Sequence, residues 1–271
     1  MAVRLISLPL FLGALAVPLA APIAAQAQEA GGPVSRIRVA LGPEFTPAYP
    51  GADRQSLSPF FYLDRAQDGE EFAYEAPDES FSFTLLSIGN IHIGPALAIT
   101  DKRTTRDTME GLRTVGTTIE PGLSITANLS SSFYGFAETH RGLGGHDAWN
   151  GRAGLDYIFR QGDAWLLSAG PRLTWGDGKH TRTYFGVSPA ESAETGVPFH
   201  KPSAGIQSVG TAVGGMYQLN NRWGLAAYGG YARLVGDAAR SPIVKQFGSR
   251  DQWSAGIALS YSFTRRTDRL W

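Results

Sequence analysis

The residues of this chain with chemistry to offer are five histidines and a scattered set of charges. His140 and His146 flank Gly142 to Gly145, with Asp147 next in line, and His180 and His200 share one long connection. A hydrolase would need a nucleophile or a carboxylate pair beside such a histidine. A metal centre would need ligand-like spacing on one strand face. No spacing selects either set, so the sequence assigns no catalytic residue, no metal ligand and no cofactor. Gly31-Gly32 and Gly142 to Gly145 are not nucleotide loops, because neither joins a parallel strand to a helix. The charges are more orderly. Arg36, Arg38, Glu120, Arg152, Asp156, Arg160 and Arg172 each fall on the polar side of an alternating stretch. Inside a barrel such charges pair across the lumen or line a selective path. Pairing is the expected use, since a barrel must fill or hydrate its interior.

Strands must position those charges, and the last one is the clearest. Ala255, Ile257, Leu259, Tyr261 and Phe263 point one way; Ser254, Gly256, Ala258, Ser260 and Ser262 point the other. A period of two with one apolar, aromatic-ended face and one small polar face suits lipid outside and a lumen inside. Similar alternation recurs along the chain. It predicts strands near 36–42, 57–64, 70–76, 80–86, 91–100, 116–129, 132–141, 147–160, 164–176, 206–219, 223–235 and 252–263. Two of these, 133–140 and 223–234, carry apolar residues on both faces. Connections alternate between short and long once a bend is placed at Ala76 to Glu79, as in outer-membrane barrels with short periplasmic turns and longer outer loops. The fold class is therefore all-β: a transmembrane antiparallel up-and-down β-barrel of about twelve strands, with ten strands and a plug-like segment at 70–86 as the alternative. An even count puts both chain ends on the periplasmic side.

The bulk properties agree. Arg4, an apolar run from Leu5 to Ala25 and Ala25-Gln26-Ala27 read as a cleaved signal peptide over 1–27, leaving 28–271 as the barrel. The chain has no cysteine, hence no lipid anchor on cysteine and no disulfide framework. With 24 basic and 24 acidic residues it carries no basic stripe, and no nucleic-acid partner is expected. The outer loops hold cations such as Lys102, Arg103, Arg106, Arg113 and Lys179, interspersed with acids. Outer-membrane lipid and the phosphates of lipopolysaccharide are the partners this location would offer them.

Several segments resemble a known family. They are Tyr184 to Ser192, Ser241 to Val244, Gly248 to Phe263, Tyr49-Pro50-Gly51-Ala52-Asp53 and Gly94-Pro95-Ala96-Leu97. Together they look like the MltA-interacting protein (MipA)/OmpV family of outer-membrane proteins, across essentially the whole mature chain. The segment from Asp101 to Arg113 is less regular, and eight residues follow Phe263 where the barrel signal usually closes the chain. The resemblance implies an outer-membrane location and, for the best-known members, a scaffold joining a lytic transglycosylase to a murein synthase. Other members are regarded as porin-like. It carries no catalytic motif. The loop motif Tyr184, Phe185, Gly186, Ser188, Pro189 and Ser192 is expected to form a self-packed cap, with Gly186 and Pro189 setting turns; folding into the mouth is the other reading. The tail with Arg265, Arg266, Arg269 and Trp271 is the candidate surface for a protein partner.

Overall fold

The computed structural model describes residues 34–266. The expected leader at 1–27, Arg269 and Trp271 lie outside the described residues. The wall contains β1 (Val34–Pro47), β2 (Gln55–Gln67), β3 (Phe81–Ser82), β4 (Leu86–Ile88), β5 (Ile91–Thr100), β6 (Thr118–Asn128) and β7 (Phe133–Arg141). It continues through β8 (Trp149–Gln161), β9 (Trp165–Gly176), β10 (Gly205–Gln218), β11 (Trp223–Leu234) and β12 (Asp251–Arg266). Neighbours in sequence pair antiparallel from β5 to β12, and β12 pairs with β1 to bring the described ends together. Alternation decides which face meets lipid. In β12, Trp253, Ile257, Leu259 and Phe263 are exposed while Gly256, Ala258 and Ser260 are buried. The same pattern puts Leu41, Phe61, Leu155, Phe159, Leu167 and Val213 on the outside. An apolar exterior with a filled interior is the barrel solution to satisfying strand hydrogen bonds in lipid.

One expected wall strand is missing. Residues 70–80 form no strand; they climb the inside of the barrel, where Phe72, Tyr74 and Ala76 are buried. The bend at Ala76 to Glu79 is real, closed by a main-chain bond of 3.1 Å from Glu79 to Ala76 and by the Glu79 carboxylate on the Ala76 N–H at 2.8 Å. It lies in the lumen, not at the outer mouth. β3 and β4 then descend as two stretches of a single wall strand along β5. Phe81 opposes Leu97 and Ser82 opposes Ala96, but Leu86 opposes Ile93, so the register slips by one residue between them. Gly94 permits the slip: a Cβ there would lie 1.8 Å from the Phe83 carbonyl oxygen. The interior segment also explains why the stretch at 133–140 is apolar on both faces. Inward-facing Tyr134 and Phe136 pack with Tyr74, Ala76, Ile158 and Leu166.

The long connections fold into a lid. It carries α1 (Gly178–Phe185), α2 (Pro189–Thr195), α3 (Gly236–Arg240) and α4 (Pro242–Phe247). Its core joins Ala48, Tyr49, Ala52, Val115, Tyr184, Phe185, Leu234, Ala238 and Val244. Leu112, Val187, Val197 and Ile243 form a second cluster.

Candidate functional site

The seven inward charges are all engaged in the lumen, and most of them grip the climbing segment. β8 supplies a row of rungs. At its short-turn end Arg160 bonds the Phe72 carbonyl at 3.0 Å and pairs with Glu71 at 3.2 Å. In the middle Asp156 accepts the Tyr74 hydroxyl at 3.0 Å. Toward the long-loop end Arg152 reaches the Ser80 hydroxyl at 2.5 Å and Glu138 at 2.6 Å. Four-residue spacing keeps Arg152, Asp156 and Arg160 on one face, so successive rungs meet successive parts of an extended chain. Arg172, from β9, chelates Asp78 at 2.8 Å and holds Asp156 at 2.8 Å. Asp163, in the β8–β9 turn, gathers Arg36 at 2.5 Å, Arg160 at 3.1 Å and the Phe72 N–H at 3.1 Å. Arg36 also donates to the Glu70 carbonyl.

Two inward charges serve elsewhere. Arg38 pairs with Asp64 at 2.7 Å within the β1–β2 hairpin. Glu120 holds His146 at 3.1 Å and Asn150 at 2.7 Å beneath the lid. Glu138, Asp78, Asp163, Ser80 and Tyr74 were not singled out from sequence. Glu138 had a findable signal, since it lies on the inward face of β7 directly opposite Arg152. Ser80 sits 3.2 Å from His140, yet its hydroxyl is shared by the Glu138 carboxylate and the Arg152 guanidinium, which makes it a clamp and not a nucleophile.

The climbing segment divides the interior. Between it and the lid lies a cavity of about 760 Å³, bordered by Glu120, His140, Asn150, Arg152, Arg172, Gln207 and Tyr228 among others. On its other side lies a cavity of about 420 Å³ reaching β2, β3 and Met216. Among the described residues no group of three or more His, Cys, Asp or Glu side chains could hold a metal ion.

The lid is built by the segments that carry the family resemblance. Tyr49-Pro50-Gly51-Ala52 is a type II turn: Ala52 N–H bonds the Tyr49 carbonyl at 3.0 Å, and Gly51 has φ of 89°. A Cβ on Gly51 would lie 2.9 Å from the Val244 side chain. Ser241 caps α4 and donates to the Phe185 carbonyl at 2.8 Å. Ser188 and Glu191 form a reciprocal capping box, with Pro189 at the start of α2. Pro189 and Gly186 thus bound helices where turns were expected, and the left-handed cap falls on Gly196, φ 75°. The signal was legible: Ser188-Pro-Ala-Glu191 is a helix start. Arg103, grouped above with the outer-loop cations that lipopolysaccharide phosphates could meet, is fully buried. Its guanidinium caps the end of α1, bonding the carbonyls of Tyr184 at 2.6 Å and Thr183 at 2.9 Å, where a helix dipole favours a cation. Asp177 caps the other end of α1. Burial would raise its carboxyl, but N–H bonds from His180, Trp149 and Lys179 outweigh burial and hold it below the ordinary range. Burial, with His146 alongside, pushes the His180 imidazole down to about 4.

At the short-turn end, β12 continues past Phe263 as paired strand. Ser35 opposes Arg265 and Val34 opposes Arg266. Arg265 is exposed there.

A profile of the family described as MltA-interacting protein MipA matches residues 39–263. Outer membrane protein OmpV of Vibrio cholerae serotype O1 is 29% identical over 91 residues, spanning 34% of this chain and 34% of that protein. The COG4313 outer membrane channel from Pseudomonas putida F1 aligns over 90% of this chain and 100% of its own, with a TM-score of 0.39 and 9% identity. OmpT of Vibrio cholerae aligns over 87% and 99%, with a TM-score of 0.35 and 9% identity. Such distant likenesses to solved barrels add nothing to the functional argument. The family profile runs from β1 through β12, over the rungs, the climbing segment and the lid alike, and on that match this outer-membrane barrel belongs to the MltA-interacting protein MipA/OmpV family.

Proposed function

We propose that this barrel is a gated passage for small solutes, with residues 70–80 as its plug. One observation carries the reading. Among the described residues, every bond from 71–80 to the wall involves a side chain, while its main-chain partners are local. A plug held by side chains can leave without breaking a strand ladder. The cavities on either side fall near the roughly 300–1,000 Å³ of small-molecule sites. Planar-bilayer recording tests this. Native protein is expected to conduct weakly. Arg172→Ala, or replacement of 71–79 by a Gly/Ser chain of equal length, is expected to raise open probability by about tenfold or more, since losing a buried ion-pair partner is worth more than the roughly 1.4 kcal/mol that tenfold requires. Silence from both variants, with insertion verified, would sink the reading.

A scaffold role is the second reading, favoured by the extension of β12 beyond Phe263. That extension exposes Arg265 at the short-turn end of the wall, where a murein hydrolase or synthase would dock. The family's description names an interaction with MltA. Deleting 264–271 is expected to weaken capture of a lytic transglycosylase or a murein synthase from cross-linked envelopes. Undiminished capture would rule the tail out.

A further inference from the structure

The wall has an unpaired seam. β2 runs toward the short-turn end, and so does the β3–β4 strand, because the climbing segment has already made the return journey inside. The two edges are parallel neighbours, and among the described residues no hydrogen bond joins them. The cavity of about 420 Å³ sits at this seam. Its lining includes Phe60 and Tyr62 from the inner face of β2, and also Phe61 and Leu63 from the outer face. Lipid-facing Phe81 and Phe83 line it from the opposite edge. Both unpaired edges border it and no strand bond closes the space between them, so the gap in the wall lies between this cavity and the bilayer.

We infer that the β2–β3 seam is a side entrance from the bilayer, and that the cavity behind it binds an uncharged hydrocarbon chain or ring. The chemistry follows from the lining. Phe72, Tyr74, Pro77, Leu166, Met216 and Ala226 offer aromatic and aliphatic surface, with a methionine able to adapt to shape. The cations at the margin, Arg38 and Arg160, are already paired with Asp64 and Asp163, and the other charged groups of the lining, Glu44, Glu75 and Glu79, are carboxylates, so nothing here recruits an anion. Open sheet edges are costly against lipid, so they are tolerated only where they line a protein cavity. Phe72 to Pro77 belong to the plug, so a molecule arriving through the seam touches the gate itself. The inference rests on the gated-passage reading and gives it a solute class and a route.

The test uses the full chain in liposomes containing a small lipid-soluble aryl diazirine. Photolabelling is mapped by mass spectrometry. Outward Leu155 and Phe159 serve as the control for contact with lipid. Labelling is expected at Phe72, Tyr74 and Met216 as well. Since the chain has no cysteine, Phe61→Cys and Phe83→Cys can be joined by a flexible bis-maleimide to bar the seam. Ala73→Trp fills the cavity from an exposed plug position and leaves the wall untouched. Both are expected to cut inner labelling about tenfold while the outer control stays constant. Inner residues unlabelled in the native chain, or labelled equally after barring the seam, would overturn the side entrance. A diazirine on a phospholipid acyl chain separates the sources: inner labelling by the free probe alone assigns a free solute, and labelling by both admits acyl tails too. Inner labelling together with silent bilayers would keep the entrance and remove the channel.

Discussion

Arg172 does more than fill space in the lumen. Its guanidinium bridges Asp78 on the plug and Asp156 on the wall, and Asp156 also takes the Tyr74 hydroxyl. Removing it leaves two carboxylates without their shared cation, Asp156 fully buried and Asp78 partly so. Arg172→Ala is expected to cost about 3–5 kcal/mol, the usual penalty for stranding a buried charge. Arg172→Lys keeps the charge but loses the planar fork, and should recover only part of that loss. Urea titration of the detergent-folded barrel reads both, and equal stability of the two variants would refute the bridging role. The inward charges themselves were legible, because a period of two assigns each residue to a face. Their partners on the climbing segment were not. Phe72, Tyr74 and Ala76 alternate as a wall strand does, and the period is the same whether an extended chain pairs with neighbours or lies along a surface.

Among the elements, α1 ties the lid to the wall. His180 packs against His146 at 4.8 Å and against Tyr184 at 4.9 Å between ring centres, and its ring nitrogen meets Gln207 at 2.8 Å. Glu120, Asp177 and Arg103 are the other charged groups around this cluster. In an open lid the imidazole takes a proton near pH 6.5, whereas in the closed lid it stays neutral down to about pH 4. The open state therefore binds more protons across that interval, and the closed lid loses stability as pH falls through it. Asp177 acts in the same direction at lower pH: its depressed pKa stabilises the closed lid above the ordinary Asp range and is lost as pH falls through the folded value. Amide exchange over 178–195, corrected for intrinsic rates, is expected to quicken from pH 7 to pH 5. His180→Gln should flatten that dependence; an unchanged slope would mean another group drives it. The lid's helices escaped sequence reading for a plain reason. They have five to eight residues, too short for a 3.6-residue period to show, so only their caps announce them.

For the molecule as a whole, among the described residues the wall has eleven strands while the chain makes twelve crossings. β3 and β4 make one wall strand, and the run at 70–80 crosses inside, so both described ends still lie at the short-turn end, where Val34 meets Arg266. The described ends thus share one side although one strand moved indoors. Sequence periodicity reports faces and directions; it does not report which surface a face rests on, which is why a plug-like segment at 70–86 stood only as the alternative and the seam stayed hidden.

The pairing of β1 with β12 has a consequence in time. With β2 free along its outer edge, the β1–β2 hairpin is attached to the rest of the wall through β12 alone. The first strands to leave the ribosome therefore have no berth in the wall until the last strand is in place, and such end-to-end contacts are the slowest kind to form. A chain arrested before β12 would carry its hairpin as an unmoored flap, with the β5–β11 ladder already laid down beside it.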